Sequence, residues 1–182
     1  MSTLTLITGG VRSGKSRYAL ELARARGTAK CFLATAEALD EEMSMRIARH
    51  RAERGPDFFT LEEPLELAKA IERVQARYDL ILIDCLTLWA SNLILRFPNA
   101  PEQIASEIKS FLEAVSLKKS GFVCVTNEVG LGLIPDHSLG RQFIDTLGSL
   151  NQEMARLSDE VVLMVSGIPN SIKGGVGARL GL

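Results

Sequence analysis

Histidine and aromatic residues are scarce in this chain, and each shortage closes off a class of chemistry. Only His50 and His137 offer an imidazole, so a mechanism that needs one has two candidates. Aromatics make up 5% of 182 residues, too few for a stacking platform that would hold single-stranded nucleic acid. Neither sign of charge is in excess. The 21 lysines and arginines against 22 aspartates and glutamates leave a net charge of −1, which argues against a nucleic-acid partner and against a polyacidic tail. The cysteines, Cys31, Cys85 and Cys124, are odd in number and far apart, with no CxxC or Cys/His cluster. Neither a zinc site nor a disulfide framework is indicated. Each lies in an apolar run, where a free cysteine packs as a small hydrophobe, and this usage fits a reducing compartment. No apolar run approaches the ~20 residues that a spanning helix needs, and Met1 to Thr8 lacks the basic start of a signal peptide. The expectation is a cytoplasmic protein without stable membrane insertion.

What is present reads as one α/β domain. Hydrophobic residues at 46% can fill a sizeable core, and the length suits a single domain. Short β-branched or apolar runs predict strands at Thr3–Thr8, Lys30–Thr35, Phe58–Leu61, Asp79–Asp84, Gly121–Thr126 and Glu160–Ser166. Between them, amphipathic spacing predicts helices from Lys15 to Gly27 and over Ala38–Arg54, Pro64–Gln75, Leu86–Phe97, Glu102–Val115 and Leu139–Leu157. Buried strands alternating with helices make a mainly parallel sheet covered on both faces. Residues 1–169 form the expected domain. The glycine-rich tail, 170–182, is expected to be mobile or to order on a ligand or neighbour. Ligands of such sheets gather at the carboxyl ends of the strands. That rule marks Gly9–Ser16, Thr35–Ala36, Asp84–Cys85, Thr126–Glu128 and Ser166–Gly167 as one rim.

The strongest motif is Gly9-Gly10-Val11-Arg12-Ser13-Gly14-Lys15-Ser16, which fits G-x-x-x-x-G-K-[ST] after a strand and at the opening of a helix. Glycines let successive backbone N–H groups wrap a phosphate, and the helix N-terminus adds a favourable field. Lys15 suits the β and γ phosphates, and the Ser16 hydroxyl suits magnesium. Asp84 ends the strand Leu80–Ile83, where a P-loop protein keeps its second acidic group for the same magnesium; capping of the next helix is the plainer alternative.

His50 lies among Arg46, Arg49, Arg51 and Arg54. Cations favour the neutral, nucleophilic imidazole and suit a triphosphate, yet composition alone favours a solvated basic face. His137, in a turn before a helix, suits a capping or surface role. Asn127 and Glu128 are balanced between orienting a water, metal or substrate hydroxyl and a plain turn.

Taken together, these stretches resemble the bifunctional adenosylcobinamide kinase / adenosylcobinamide-phosphate guanylyltransferase family. The likeness rests on Ile7–Ser16, Leu33–Ala36 with Asp40–Met43 and Arg46-Ile47 leading to His50, Leu82–Trp89, Val125–Gly130 and Val165–Pro169. It implies a RecA-like P-loop fold, GTP or ATP with Mg2+, adenosylcobinamide as the acceptor, and a homo-oligomer. It implies two reactions: γ-phosphoryl transfer to a hydroxyl, then GMP transfer through a GMP–histidine intermediate. The guanylylated histidine falls on His50. Nucleotide contacts fall on Gly9 to Ser16, Ala34, Thr35, Ala36, Arg51, Arg54, Glu62 and Asp84, with Ser16 and Asp84 at the metal. The rivals are a single-function P-loop small-molecule kinase, with His50 on the surface, and a GTP-binding regulatory module. No guanine-specificity motif of the switch GTPases supports the latter.

Overall fold

The computed structural model describes residues 2–38 and 40–175. Leu39, one of the apolar positions of the expected second helix, and tail residues 176–182 lie outside the described residues.

The strands are β1 (Leu4–Gly9), β2 (Lys30–Ala34), β3 (Phe58–Glu62), β4 (Leu80–Asp84), β5 (Gly121–Val125), β6 (Glu160–Val165) and β7 (Ile168–Lys173). They form one sheet in the order β3-β2-β4-β5-β1-β6-β7. Pairing is parallel from β3 through β6, and β7 returns antiparallel along β6. The expected domain boundary at residue 170 thus falls inside a strand. Asn170–Lys173 look unpatterned because β7 is an edge strand with mostly exposed side chains, so the alternation that a half-buried strand shows is missing.

The helices are α1 (Lys15–Arg26), α2 (Glu41–Arg54), α3 (Leu67–Val74), α4 (Leu86–Arg96), α5 (Pro101–Ser116) and α6 (Ser138–Leu157). Their starts follow local chemistry. The Asp40 carboxylate accepts from the Met43 N–H at 2.7 Å, Pro101 opens α5, and His137 Nδ1 accepts from the Gly140 N–H at 3.0 Å. The capping role expected of His137 is therefore what it does.

Alternation along the strands splits the core in two. Leu4, Leu6, Leu33, Ile81, Ile83 and Phe122 face α3–α6, where Trp89 and Phe111 are fully buried 4.9 Å apart. Ile7, Phe32, Leu80, Leu82, Val123 and Val162 face α1 through Tyr18, Ala19, Leu22 and Ala23. Cys31 and Cys124 are buried strand residues, as expected. Burial pushes the Cys31 thiol up to about 12 and raises that of Cys124 further. Among the described residues, no helix is long and apolar enough to cross a membrane.

Candidate active site

The order of the strands creates the site. The chain leaves β1 and crosses over β5 and β4 to reach β2, so the loops after β1, β2 and β4 open outward from a crevice at the carboxyl end.

The P-loop is set by two close approaches. At Gly9, with φ of +147°, a Cβ would stand 2.5 Å from the Met164 carbonyl oxygen; at Gly14, with φ of +92°, it would stand 3.3 Å from the Gly167 Cα. Only glycine suits both. The turn between β6 and β7 buttresses the loop, since the Gly167 N–H donates to the Ser13 carbonyl at 3.0 Å. Gly14 precedes α1 and no side chain caps the helix, so its first N–H groups remain for an anion. Lys15 is buried and folds back to donate to the Gly10 carbonyl at 2.5 Å. Arg12, at φ of +58°, and Val11 lie on the exposed crest.

A cleft of about 560 Å³, open to solvent, lies beside this loop. Ser16, Ala34, Ala36 and Asp84 form one wall. Met43, Ile47, His50 and Arg54, spaced four, three and four residues apart, line the other from a single stripe of α2. Glu62, Phe32, Cys85 and Leu88 complete it. The expected nucleophile, P-loop serine and strand-end aspartate therefore share one cavity. Thr35 sits beneath it, fully buried, donating to the Cys85 carbonyl and accepting from its N–H, both at 2.8 Å.

Arg54 is the unusual member. It is 4% exposed, its guanidinium stacks 3.9 Å over the Phe32 ring, and its Nε has no hydrogen-bond partner. Burial and the neighbouring Arg51 hold its pKa below the ordinary arginine value, against the pull of Asp84 and Glu62. Arg24 anchors this end of the helix, donating to the Arg54 carbonyl at 3.0 Å and pairing with Asp57 at 3.4 Å. Arg51 instead pairs with Glu62 at the surface. The side chains of Arg46 and Arg49, half of the expected basic patch, lie outside the described residues.

Two expected parts of the rim do not line this cleft. Ser166–Gly167 brace the P-loop from behind, and Glu128 turns toward β1, where its Oε1 accepts from the Thr8 hydroxyl at 2.6 Å. The sequence reading missed Phe32 as the platform under Arg54, and Asn92, whose Nδ2 donates to the carbonyls of Thr35 at 2.8 Å and Pro64 at 3.1 Å. Phe32 carries no signal in its strand. Asn92 does, as an amide within the apolar stretch of α4.

No group of three or more potential metal-ligating side chains occurs among the described residues. The donors that fit magnesium are Ser16 and Asp84, two hard oxygens facing one cleft, with nucleotide and water left to supply the rest.

The model of the family described as cobinamide kinase / cobinamide phosphate guanyltransferase matches residues 5–172. The bifunctional adenosylcobalamin biosynthesis protein CobP of Pseudomonas aeruginosa is 42% identical over 169 residues, covering 93% of this chain and 96% of its own. The bifunctional adenosylcobalamin biosynthesis protein CobU of Salmonella typhimurium is 38% identical over 181 residues, covering 93% and 99%. Among solved structures, a KaiC-like protein of Pyrococcus horikoshii aligns with a TM-score of 0.51 at 14% identity, over 88% of this chain and 70% of its own. A RadB recombinase aligns with a TM-score of 0.50 at 14% identity, over 88% and 73%. The expected RecA-like P-loop fold is thus the observed one; at such identities these two structures speak for fold alone.

Proposed function

The chain belongs to the cobinamide kinase / cobinamide phosphate guanyltransferase family, and on that premise we propose that both transfers use one triphosphate seat between the P-loop and α2. It is a transferase of adenosylcobalamin assembly: a cobinamide kinase and a cobinamide-phosphate guanylyltransferase. The observation that carries the proposed mechanism is the cleft shared by Ser16, Asp84 and His50.

In the kinase reaction the acceptor hydroxyl attacks the γ phosphorus of GTP or ATP, and the bond to the departing diphosphate breaks. Gly9–Ser16 hold the phosphates, and Lys15 offsets their charge; catalysis here is positioning and neutralisation. Magnesium, held by Ser16 and Asp84, would add Lewis-acid polarisation of the phosphates. In the guanylyl reaction a ring nitrogen of His50 attacks the α phosphorus, pyrophosphate leaves, and GMP is carried on the histidine until cobinamide phosphate displaces it. Arg54 suits a nucleotide contact because it lines the cleft with a buried charge whose Nε has no hydrogen-bond partner. Ala34, Thr35 and Ala36 border the nucleotide, while Arg51 and Glu62 close its outer side as a pair.

Self-association is part of the proposal, supported by Val165, Ile168 and Ile172, each more than half exposed along the β6–β7 edge. A cytoplasmic setting is supported by three free cysteines.

The test uses GTP labelled at the α or the γ phosphate. Acid-labile label on the protein is expected from the α position only, and is lost in His50→Ala, while γ transfer to cobinamide persists. Intact protein that takes no α label would overturn the covalent half of the mechanism.

A further inference from the structure

Phosphoryl transfer from the P-loop leaves one proton unassigned, that of the acceptor hydroxyl, and the cleft carboxylates are poorly placed to take it. Glu62 is paired with Arg51, and Asp84 is the strand-end group suited to magnesium. Glu63, next along the chain, accepts from the N–H groups of Leu65 and Glu66 and pairs with Arg73.

Glu128 differs from all of these. It follows β5, the strand lying between the P-loop strand β1 and the Asp84 strand β4. Its backbone N–H donates to the carbonyl of Gly9, the first P-loop residue, at 3.2 Å. The segment is held rigidly: the Asn127 N–H donates to the Thr87 hydroxyl at 2.8 Å, and Asn151 Nδ2 donates to the Asn127 carbonyl at 3.0 Å. Oε1 is turned by the Thr8 hydroxyl at 2.6 Å, and Thr8 is itself buried. Oε2 has no hydrogen bond and no cation partner among the described residues. A half-buried carboxylate fixed at one oxygen and open at the other, against the P-loop, has the form of a proton acceptor.

We propose that Glu128 is the general base of the phosphoryl transfer, receiving the acceptor's hydroxyl proton on Oε2. As the oxygen bonds to the γ phosphorus, the bridging P–O bond breaks and the nucleoside diphosphate leaves with that electron pair. Glu128 stands outside the cleft that holds His50, so the two attacking groups do not compete for space. The assignment rests on the kinase reading given above and has no part in attack by His50.

The test is Glu128→Gln, which keeps an oxygen for the Thr8 hydroxyl and removes the base. Kinase kcat should fall about 100-fold or more with acceptor KM within about threefold. Labelling of His50 by α-labelled GTP should stay at the wild-type level, which also shows the variant folded with an intact triphosphate seat. A kcat within about threefold of wild type would overturn the assignment. So would a parallel loss of both activities, which would make Glu128 a prop for the P-loop. Wild-type protein that labels His50 yet passes no γ-phosphoryl group to cobinamide would sink the kinase reading and Glu128's role with it.

Discussion

The two ends of the sheet use the same residue types in opposite ways. At the amino end Asp79, Asp159 and Glu160 each hold two or more donors. Asp79 accepts from the Thr28 hydroxyl and from the N–H groups of Thr28 and Ala29, at 2.5–3.1 Å. Asp159 holds the Leu4 N–H at 2.8 Å and Lys118 at 2.6 Å. Glu160, 7% exposed, takes the Thr5 hydroxyl at 2.8 Å and Arg26 at 2.5 Å. At the carboxyl end the Glu128 side chain holds one donor, the Thr8 hydroxyl, and the Arg54 Nε is buried with no hydrogen-bond partner. β4 runs from one regime to the other, since it follows Asp79 and ends in Asp84. A polar group satisfied inside the protein stabilises the fold. One left for a ligand costs stability and provides function, so the two ends should fail differently.

The largest effect belongs to the carboxyl end. Lys15→Ala should lower both transfers by about 10²–10³-fold, read by steady-state rates for each reaction, with the far-ultraviolet circular dichroism unchanged. A loss confined to one transfer would mean that the two do not share a seat. At the amino end, Glu160→Ala removes the carboxylate shared by Arg26 and the Thr5 hydroxyl and leaves them only each other, at 3.0 Å. Breaking such a pair should cost about 3 kcal/mol in urea unfolding, while turnover per folded molecule stays at the wild-type level. Reduced turnover in the folded variant would blur the division between the ends.

The smallest effect is a pH dependence at Asp79. The Thr28 hydroxyl, with the backbone N–H groups beside it, holds this carboxyl below its ordinary value. A depressed folded pKa means that the unfolded chain binds the proton more readily, so the contribution is complete above about pH 4 and is lost as pH falls through the folded value. Asp79→Asn should therefore lower the thermal midpoint at pH 7 and converge on wild type in acid. An equal deficit at every pH would assign the effect to geometry instead of charge.

Most of the architecture was legible because it is local. Short apolar runs and period-3.6 patterns marked six strands and six helices, and the P-loop announced its own turn through Gly9 and Gly14. β7 was not legible, because an exposed edge strand needs no apolar alternation. His50 was ambiguous for a different reason. Its helix has few apolar residues, so composition favoured a solvated face; the resemblance to a family favoured catalysis.

By itself the sequence determined the alternating α/β order, the phosphate-binding turn, the aspartate at the end of β4 and the stripe of Met43, Ile47, His50 and Arg54 on one side of α2. Each depends on neighbours within a turn or two of chain. Only the tertiary structure decided that this stripe faces Ser16 and Asp84, that Arg54 stacks on Phe32, and that Glu128 is tied to Thr8 across 120 residues. These follow from strand order: inserting β5 and β4 between β1 and β2 opens the crevice, and no local pattern encodes which loops meet across it.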